Sequence, residues 1–104
     1  MKLLDLIIKE YLSIVENLIA TESIENNRII IDKDYFRDML EKYQYMKFNQ
    51  KTQVYKDLNF IINDKNNYTL PCKDIETKKT VRKVVFNYST YITVKRLFET
   101  DINL

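Results

Sequence analysis

The sequence predicts an α+β fold, and three observations support that prediction. Apolar residues recur at helical spacing in four separate segments. Between these segments lie three short runs typical of small strands, two of them rich in β-branched residues. The chain has 104 residues, no internal repeat and no linker-like composition, which leaves room for one core and predicts one domain, residues 1–104.

The first half of the chain predicts two helices separated by a strand. The first helix spans residues 2–20, and its wide apolar face predicts either the central core helix or a surface that pairs with a second copy. A short strand follows at 28–31. Asp32 is positioned to cap a second helix from Lys33 to about Tyr43.

The second half predicts a helix, a hairpin and a last helix. The third helix runs from about Lys51 to Ile62, after an interruption at 48–50, and a turn follows at 63–67. Pro71 predicts that the strand at 68–72 lies at a sheet edge, because proline has no backbone N–H to donate. A charged loop at 73–80 then leads to a strand at 81–88. Ser89 or Thr90 is expected to cap the last helix.

This order of elements predicts a winged helix-turn-helix, with three helices, a β-hairpin wing and a C-terminal helix. Residues 33–62 would form the helix-turn-helix, with the third helix as its recognition helix, and 68–88 would form the wing. The chain contains no glycine, so Asn49 is the residue expected to serve at the turn between the second and third helices.

Composition excludes most enzyme classes. With no glycine the chain has no phosphate-cradling loop, and with no histidine it has no histidine-based triad or imidazole ligand. One cysteine, Cys72, provides neither a thiolate zinc site nor an internal disulfide. We therefore expect a protein that is not an enzyme and that uses no cofactor and no metal.

Hydropathy gives no sign of a membrane protein. No apolar run approaches the ~18 residues that a membrane-spanning helix needs. Charged residues interrupt the apolar start of the chain, and no small-residue cleavage site follows it. A cytoplasmic location without membrane contact is the expectation.

Basic residues are concentrated in the middle of the chain. The segment 42–83 holds ten basic and four acidic residues, a net charge of +6, whereas the whole chain has a net charge of +2. A basic segment within a nearly neutral chain is typical of a surface that binds a polyanion. A solvated lysine-rich surface is the alternative.

Aromatic rings lie between the lysines of this segment. Exposed rings beside lysines favour single-stranded nucleic acid, because unstacked bases offer flat faces and phosphates attract the ammonium groups. The alternative is that such rings belong to the core. The candidate nucleic-acid-binding residues are Tyr45, Lys47, Lys51, Tyr55 and Lys56 in the turn and third helix, and Lys78, Lys79, Arg82 and Lys83 in the wing.

Two runs carry a resemblance to a known group of proteins. KTQVYKDLNFIINDKNNYTL and TVRKVVFNYSTYITVKRLFE resemble the winged-helix pattern of replication-associated proteins from mobile elements of low-GC Gram-positive bacteria. Within that group the chain most resembles the small single-stranded-DNA-binding proteins encoded by staphylococcal cassette chromosome elements. The resemblance implies replication of a mobile genetic element, beside a helicase or polymerase of the same element.

Three functions remain open at this point. The first is a non-enzymatic single-stranded-DNA-binding protein, monomeric or dimeric through the helix at 2–20. The second is a duplex-binding transcriptional regulator. The third is a small protein-binding subunit or inhibitor of a replication enzyme, in which the exposed tyrosines would be binding hot spots.

Overall fold

The structure, a computed structural model, confirms the α+β class. It describes residues 3–64 and 67–103, and the side chains of 3–64 and 67–99. Residue 2 of the first predicted helix and residues 65 and 66 of the predicted turn lie outside the described residues. The elements in chain order are α1 (Leu3–Thr21), β1 (Arg28–Asp32), α2 (Lys33–Glu41), α3 (Phe48–Asp57), β2 (Ile61–Ile62), β3 (Leu70–Lys73), β4 (Thr80–Asn87) and α4 (Tyr88–Asn103).

The antiparallel sheet is organised around β4. Along one side of β4 lies β1, with Ile30 opposite Val85. Along the other side, β2 pairs with the second half of β4 and β3 with its first half. Pro71 pairs opposite Arg82 in β3, which has β4 as its single partner among the described strands, so the predicted edge position is confirmed.

The core is rich in aromatic rings. Tyr11 of α1 stacks on Phe60 with ring centroids 3.6 Å apart, and it meets the edge of Tyr55 at 5.9 Å. Phe36 of α2 packs against Tyr55 and against Phe86 of β4. Rings from three helices, from β4 and from the segment before β2 therefore meet in the core, which fixes how α1, α2 and α3 sit on the sheet.

The bounds predicted for the third helix are wrong. The segment 48–50 is the first turn of α3 rather than an interruption, and α3 ends at Asp57. Ile61 and Ile62 pair with β4 as β2. The helix ends early because Asn59 adopts a left-handed backbone with φ 60°, which is incompatible with a continuing helix.

Turns depend on asparagine, as expected for a chain without glycine. Asn26, Asn27 and Asn59 have positive φ, and Lys78 is the fourth such residue in the described ranges. The role expected for Asn49 is wrong, because Asn49 lies inside α3. The last helix begins one residue before the predicted caps, and Asn87 caps it by accepting a hydrogen bond from the Thr90 backbone N–H at 3.3 Å.

Candidate nucleic-acid interface

Lys51, predicted to contact phosphate, is buried. Its side chain is 1% exposed, and its ammonium nitrogen Nζ lies 2.6 Å from Glu10 Oε2. Nζ also donates to the backbone oxygens of Leu40 at 2.6 Å and Tyr43 at 2.5 Å, which lie at the end of α2 and just beyond it. Three donors meet three acceptors, so Lys51 joins α1, α2 and α3 and has no proton left for DNA. Its assignment as a phosphate contact is wrong.

Tyr55, predicted to stack on a base, is also buried. Its ring is 0% exposed, and its hydroxyl donates to Glu10 Oε1 at 3.0 Å. Burial, and then the Glu10 carboxylate, hold the pKa of Tyr55 well above its usual value. A ring in this position cannot reach a nucleic acid, so this assignment is wrong as well.

The sequence does contain a signal for this buried pair. Glu10 occurs at helical spacing with Ile7, Tyr11 and Ile14, inside the apolar stripe of the first helix. A carboxylate on a core face requires a cation and hydrogen-bond donors. Lys51 and Tyr55, four residues apart on one helix face, supply both.

Tyr45 is partly buried. The Lys51 ammonium lies 4.2 Å from the centroid of its ring, which is a cation–π contact. Burial and the neighbouring Glu10 raise the pKa of the Tyr45 hydroxyl. Lys51 therefore covers one face of the Tyr45 ring, and this tyrosine is a wall of the site rather than a free stacking platform.

A cavity of about 510 Å³ opens at the turn between α2 and α3. Its wall contains the rings of Tyr43, Tyr45 and Phe48, the amides of Gln44 and Gln50, and Lys47. Tyr43 is 58% exposed, which makes it the accessible ring of the three. The second helix was predicted to reach about Tyr43, but α2 ends at Glu41, which leaves Tyr43 in the turn.

Phe48 connects the wall of the cavity to the aromatic core. Its ring packs edge-on against Phe36 and Tyr68, with centroids 6.2 and 5.5 Å away. The Arg37 guanidinium lies 4.5 Å from the centroid of the Phe48 ring. The contact between Phe48 and Tyr68 places the start of α3 beside the segment that leads into β3.

The β3–β4 hairpin, residues 70–87, ends in an ordered tip at 74–79. The Asp74 N–H donates to Lys79 O, and the Lys78 N–H donates to Asp74 O, both at 2.8 Å. A hydrogen bond from the Glu76 backbone N–H lowers the pKa of Asp74. Lys78 and Lys79 are exposed at this tip, and Lys73 is exposed beside them.

Arg82 and Lys83 already have acidic partners. Arg82 Nη2 donates to Asp64 Oδ2 at 2.6 Å, and its Nε donates to Thr69 Oγ1 at 2.8 Å. Lys83 Nζ donates to Asp32 Oδ1 at 2.9 Å, and this bond is the main reason that the pKa of Lys83 is raised. Both side chains are half-buried, so their charges are locally balanced and the free cations of the hairpin lie nearer its tip.

Lys47 and Lys56 remain available on α3. Lys47 is exposed immediately before the helix, and Lys56 is half-buried in its last turn. Neither forms an ion pair within the described part of the chain. Among the basic residues predicted to bind nucleic acid, the accessible ones therefore lie at the two ends of α3 and at the hairpin tip.

An apolar groove of about 640 Å³ lies on another face, between α1 and α4. Its apolar wall consists of Leu4, Ile8, Leu58, Phe60, Val94, Leu97 and Phe98. Leu4, Leu58 and Leu97 are exposed to solvent. The wide apolar face predicted for the first helix is thus used in part by the core and in part by this groove.

Comparison with protein-family models and with curated proteins finds no match to this chain. Across the described residues, no helix combines the length and the apolar character needed to cross a membrane.

Proposed function

We propose that the chain is a winged-helix DNA-binding domain. The order α1, β1, α2, α3 followed by an antiparallel hairpin supports this, together with the pairing of β1 with the second strand of that hairpin. In such a domain α2 and α3 form the helix-turn-helix and the β3–β4 hairpin is the wing.

Within that class, the proposed ligand is single-stranded DNA. The observation that carries this proposal is the ring-walled cavity between α2 and α3, with exposed Tyr43 at its mouth and Lys47 on its wall. Its volume of about 510 Å³ falls within the ~300–1,000 Å³ usual for ligand pockets. An unstacked base has flat faces for Tyr43 and polar edges for the amides of Gln44 and Gln50.

Tyr43 thus replaces the two tyrosines predicted to stack on bases. Stacking of one base on an aromatic side chain contributes about 1–3 kcal/mol. The phosphates of the same strand would be bound by Lys47, Lys56, Lys78 and Lys79. Four such contacts on a single strand imply a slope of log K against log salt of about −3.

The biological setting is proposed from the sequence resemblance. It assigns the protein a non-enzymatic role in replication of a mobile genetic element, with a helicase or polymerase of that element as protein partner. The exposed apolar groove between α1 and α4 offers a surface for such a partner.

The test is fluorescence anisotropy with a labelled 30-nucleotide single strand and the matching duplex, titrated across a salt series. Tyr43→Ala should weaken single-strand binding by about 5- to 150-fold, since one stack is lost, and should leave duplex binding nearly unchanged. Tyr35→Ala is the matched control, because Tyr35 is 43% exposed on α2 beside Asp32, Asp34 and Asp38. Absence of single-strand binding at low salt, or equal effects of the two substitutions, would contradict the proposal. Tighter binding of the duplex would instead favour the transcriptional regulator.

The apolar groove favours a second candidate function, that of a protein-binding subunit. Sedimentation across a concentration series would reveal self-association through α1 and α4. Leu97→Lys should reduce it, because a charge would enter the apolar contact. Ile30→Lys is the control, since Ile30 is also apolar and exposed but lies on β1. If the protein stays monomeric at all concentrations, the groove does not mediate self-association, and a different protein would be its partner.

A further inference from the structure

Ile75 projects from the hairpin tip into solvent. Its side chain is 92% exposed, the highest value among the large apolar side chains of the described residues. Isoleucine favours burial strongly, and hairpin tips normally carry polar residues. The surrounding residues are polar or charged, with Asp74 and Glu76 on either side and exposed Lys78 and Lys79 on the return of the turn.

The tip holds Ile75 in a defined place. Two backbone hydrogen bonds of Asp74 close the turn: its N–H donates to Lys79 O, and its carbonyl oxygen accepts from the Lys78 N–H. Its carboxylate also accepts a hydrogen bond from the Glu76 N–H at 2.9 Å. The Asp74 charge is thus engaged inside the turn, while both lysine ammonium groups stay exposed. An ordered turn lowers the entropy cost of presenting one apolar side chain to a ligand.

We propose that Ile75 packs against the exposed face of the last base pair where a duplex opens into a single strand. The inference rests on the proposed function, since the single strand that leaves such a junction would enter the α2–α3 cavity. The ligand class is forked DNA rather than continuous single strand.

A junction between duplex and single-stranded DNA presents an apolar face beside phosphates, and the hairpin tip presents an apolar side chain beside lysines. The terminal base pair presents a flat, largely apolar face, and apolar side chains such as isoleucine act as wedges between or against bases in other DNA-binding proteins. Phosphates of the two strands diverge on either side of that face. Lys78 and Lys79 can bind one strand there, because their ammonium groups are unpaired by acids within the described chain.

The experiment measures affinity for three labelled DNAs of equal length: a single strand, a blunt duplex and a fork with one single-stranded arm. The unmodified protein should bind the fork about tenfold more tightly than the single strand, the gain expected from burying part of one isoleucine. Ile75→Ala should lose that preference and keep its single-strand affinity and melting temperature. Ile30→Ala is the matched control, an exposed isoleucine on β1 rather than on the hairpin, and should keep the preference.

A second measurement reports the contact directly. With 2-aminopurine in the last base pair of the fork, the wild-type protein should change its fluorescence and Ile75→Ala should not. The inference is overturned if Ile75→Ala keeps the fork preference, or if the wild type binds single strand and fork equally. The single-strand titration separately decides the proposed function, so the two failures are distinguishable.

Discussion

Removing the ammonium group of Lys51 should strongly destabilise the fold, because this buried group joins three helices. In Lys51→Met the Glu10 carboxylate stays buried and keeps the hydrogen bond from the Tyr55 hydroxyl, but it loses its cation. The carbonyls of Leu40 and Tyr43 lose the same donor. Breaking a buried pair in this way costs about 3–5 kcal/mol, because a charge is left without its partner.

That loss is large relative to the whole domain. A domain of this size has a free energy of unfolding of about 5–15 kcal/mol. With a urea m-value of about 1–2 kcal/mol/M, a loss of about 4 kcal/mol lowers the urea midpoint by about 2–4 M. Urea titration followed by circular dichroism measures this shift.

Two further variants test the reasoning. Lys47→Met removes a lysine of the same segment that is exposed, and it should change the free energy of unfolding by less than about 0.5 kcal/mol. Glu10→Gln combined with Lys51→Met should be more stable than Lys51→Met alone, since no buried charge remains unpaired. A loss below about 1 kcal/mol in Lys51→Met would refute the argument.

The remaining predictions concern pH and salt. Burial raises the pKa values of Tyr11, Tyr45 and Tyr55 above the value of about 10 expected in the unfolded chain. Above pH 10 the unfolded state therefore binds fewer protons than the folded state, and stability falls as pH rises. The free energy of unfolding then falls by up to about 1.4 kcal/mol per pH unit for each of the buried residues Tyr11 and Tyr55. The contribution of the partly exposed Tyr45 is smaller. Urea titrations between pH 8 and 11.5 measure this fall, and constant stability across that range would contradict it. Replacing Lys78 and Lys79 by glutamine should reduce the salt slope of single-strand binding by about 1.4, since two phosphate contacts are lost. An unchanged slope in the anisotropy series would show that the hairpin tip does not bind phosphate.

The strongly periodic parts of the fold could be predicted from the sequence. The helical stripe of α1 is long, and β1 and the hairpin strands stand out as short extended runs. The segment around Ile61 and Ile62 could not be assigned in this way. Two apolar residues fit a helix face and a strand equally well, and the left-handed Asn59 that separates them from α3 leaves no mark on apolar spacing.

The candidate site was harder to predict, because side-chain type does not reveal burial. Lysine is almost never fully buried unless it is paired, so the sequence favoured an exposed Lys51. Its partner Glu10 lies 41 residues earlier in the chain, and no local pattern links the two. Tyr43 was missed for the related reason that α2 ends two residues earlier than its periodicity predicts.

The position of β4 has a consequence for how the protein is made. Every strand pairing among the named strands includes β4, which is the last strand to leave the ribosome. Until residues 80–87 emerge, β1, β2 and β3 have no strand to pair with, and the aromatic core lacks the side chains that β4 contributes. The nascent chain therefore cannot acquire its sheet stepwise during translation. The sheet must form in one step once β4 has emerged, and any delay in translation before residues 80–87 prolongs exposure to aggregation and to chaperones.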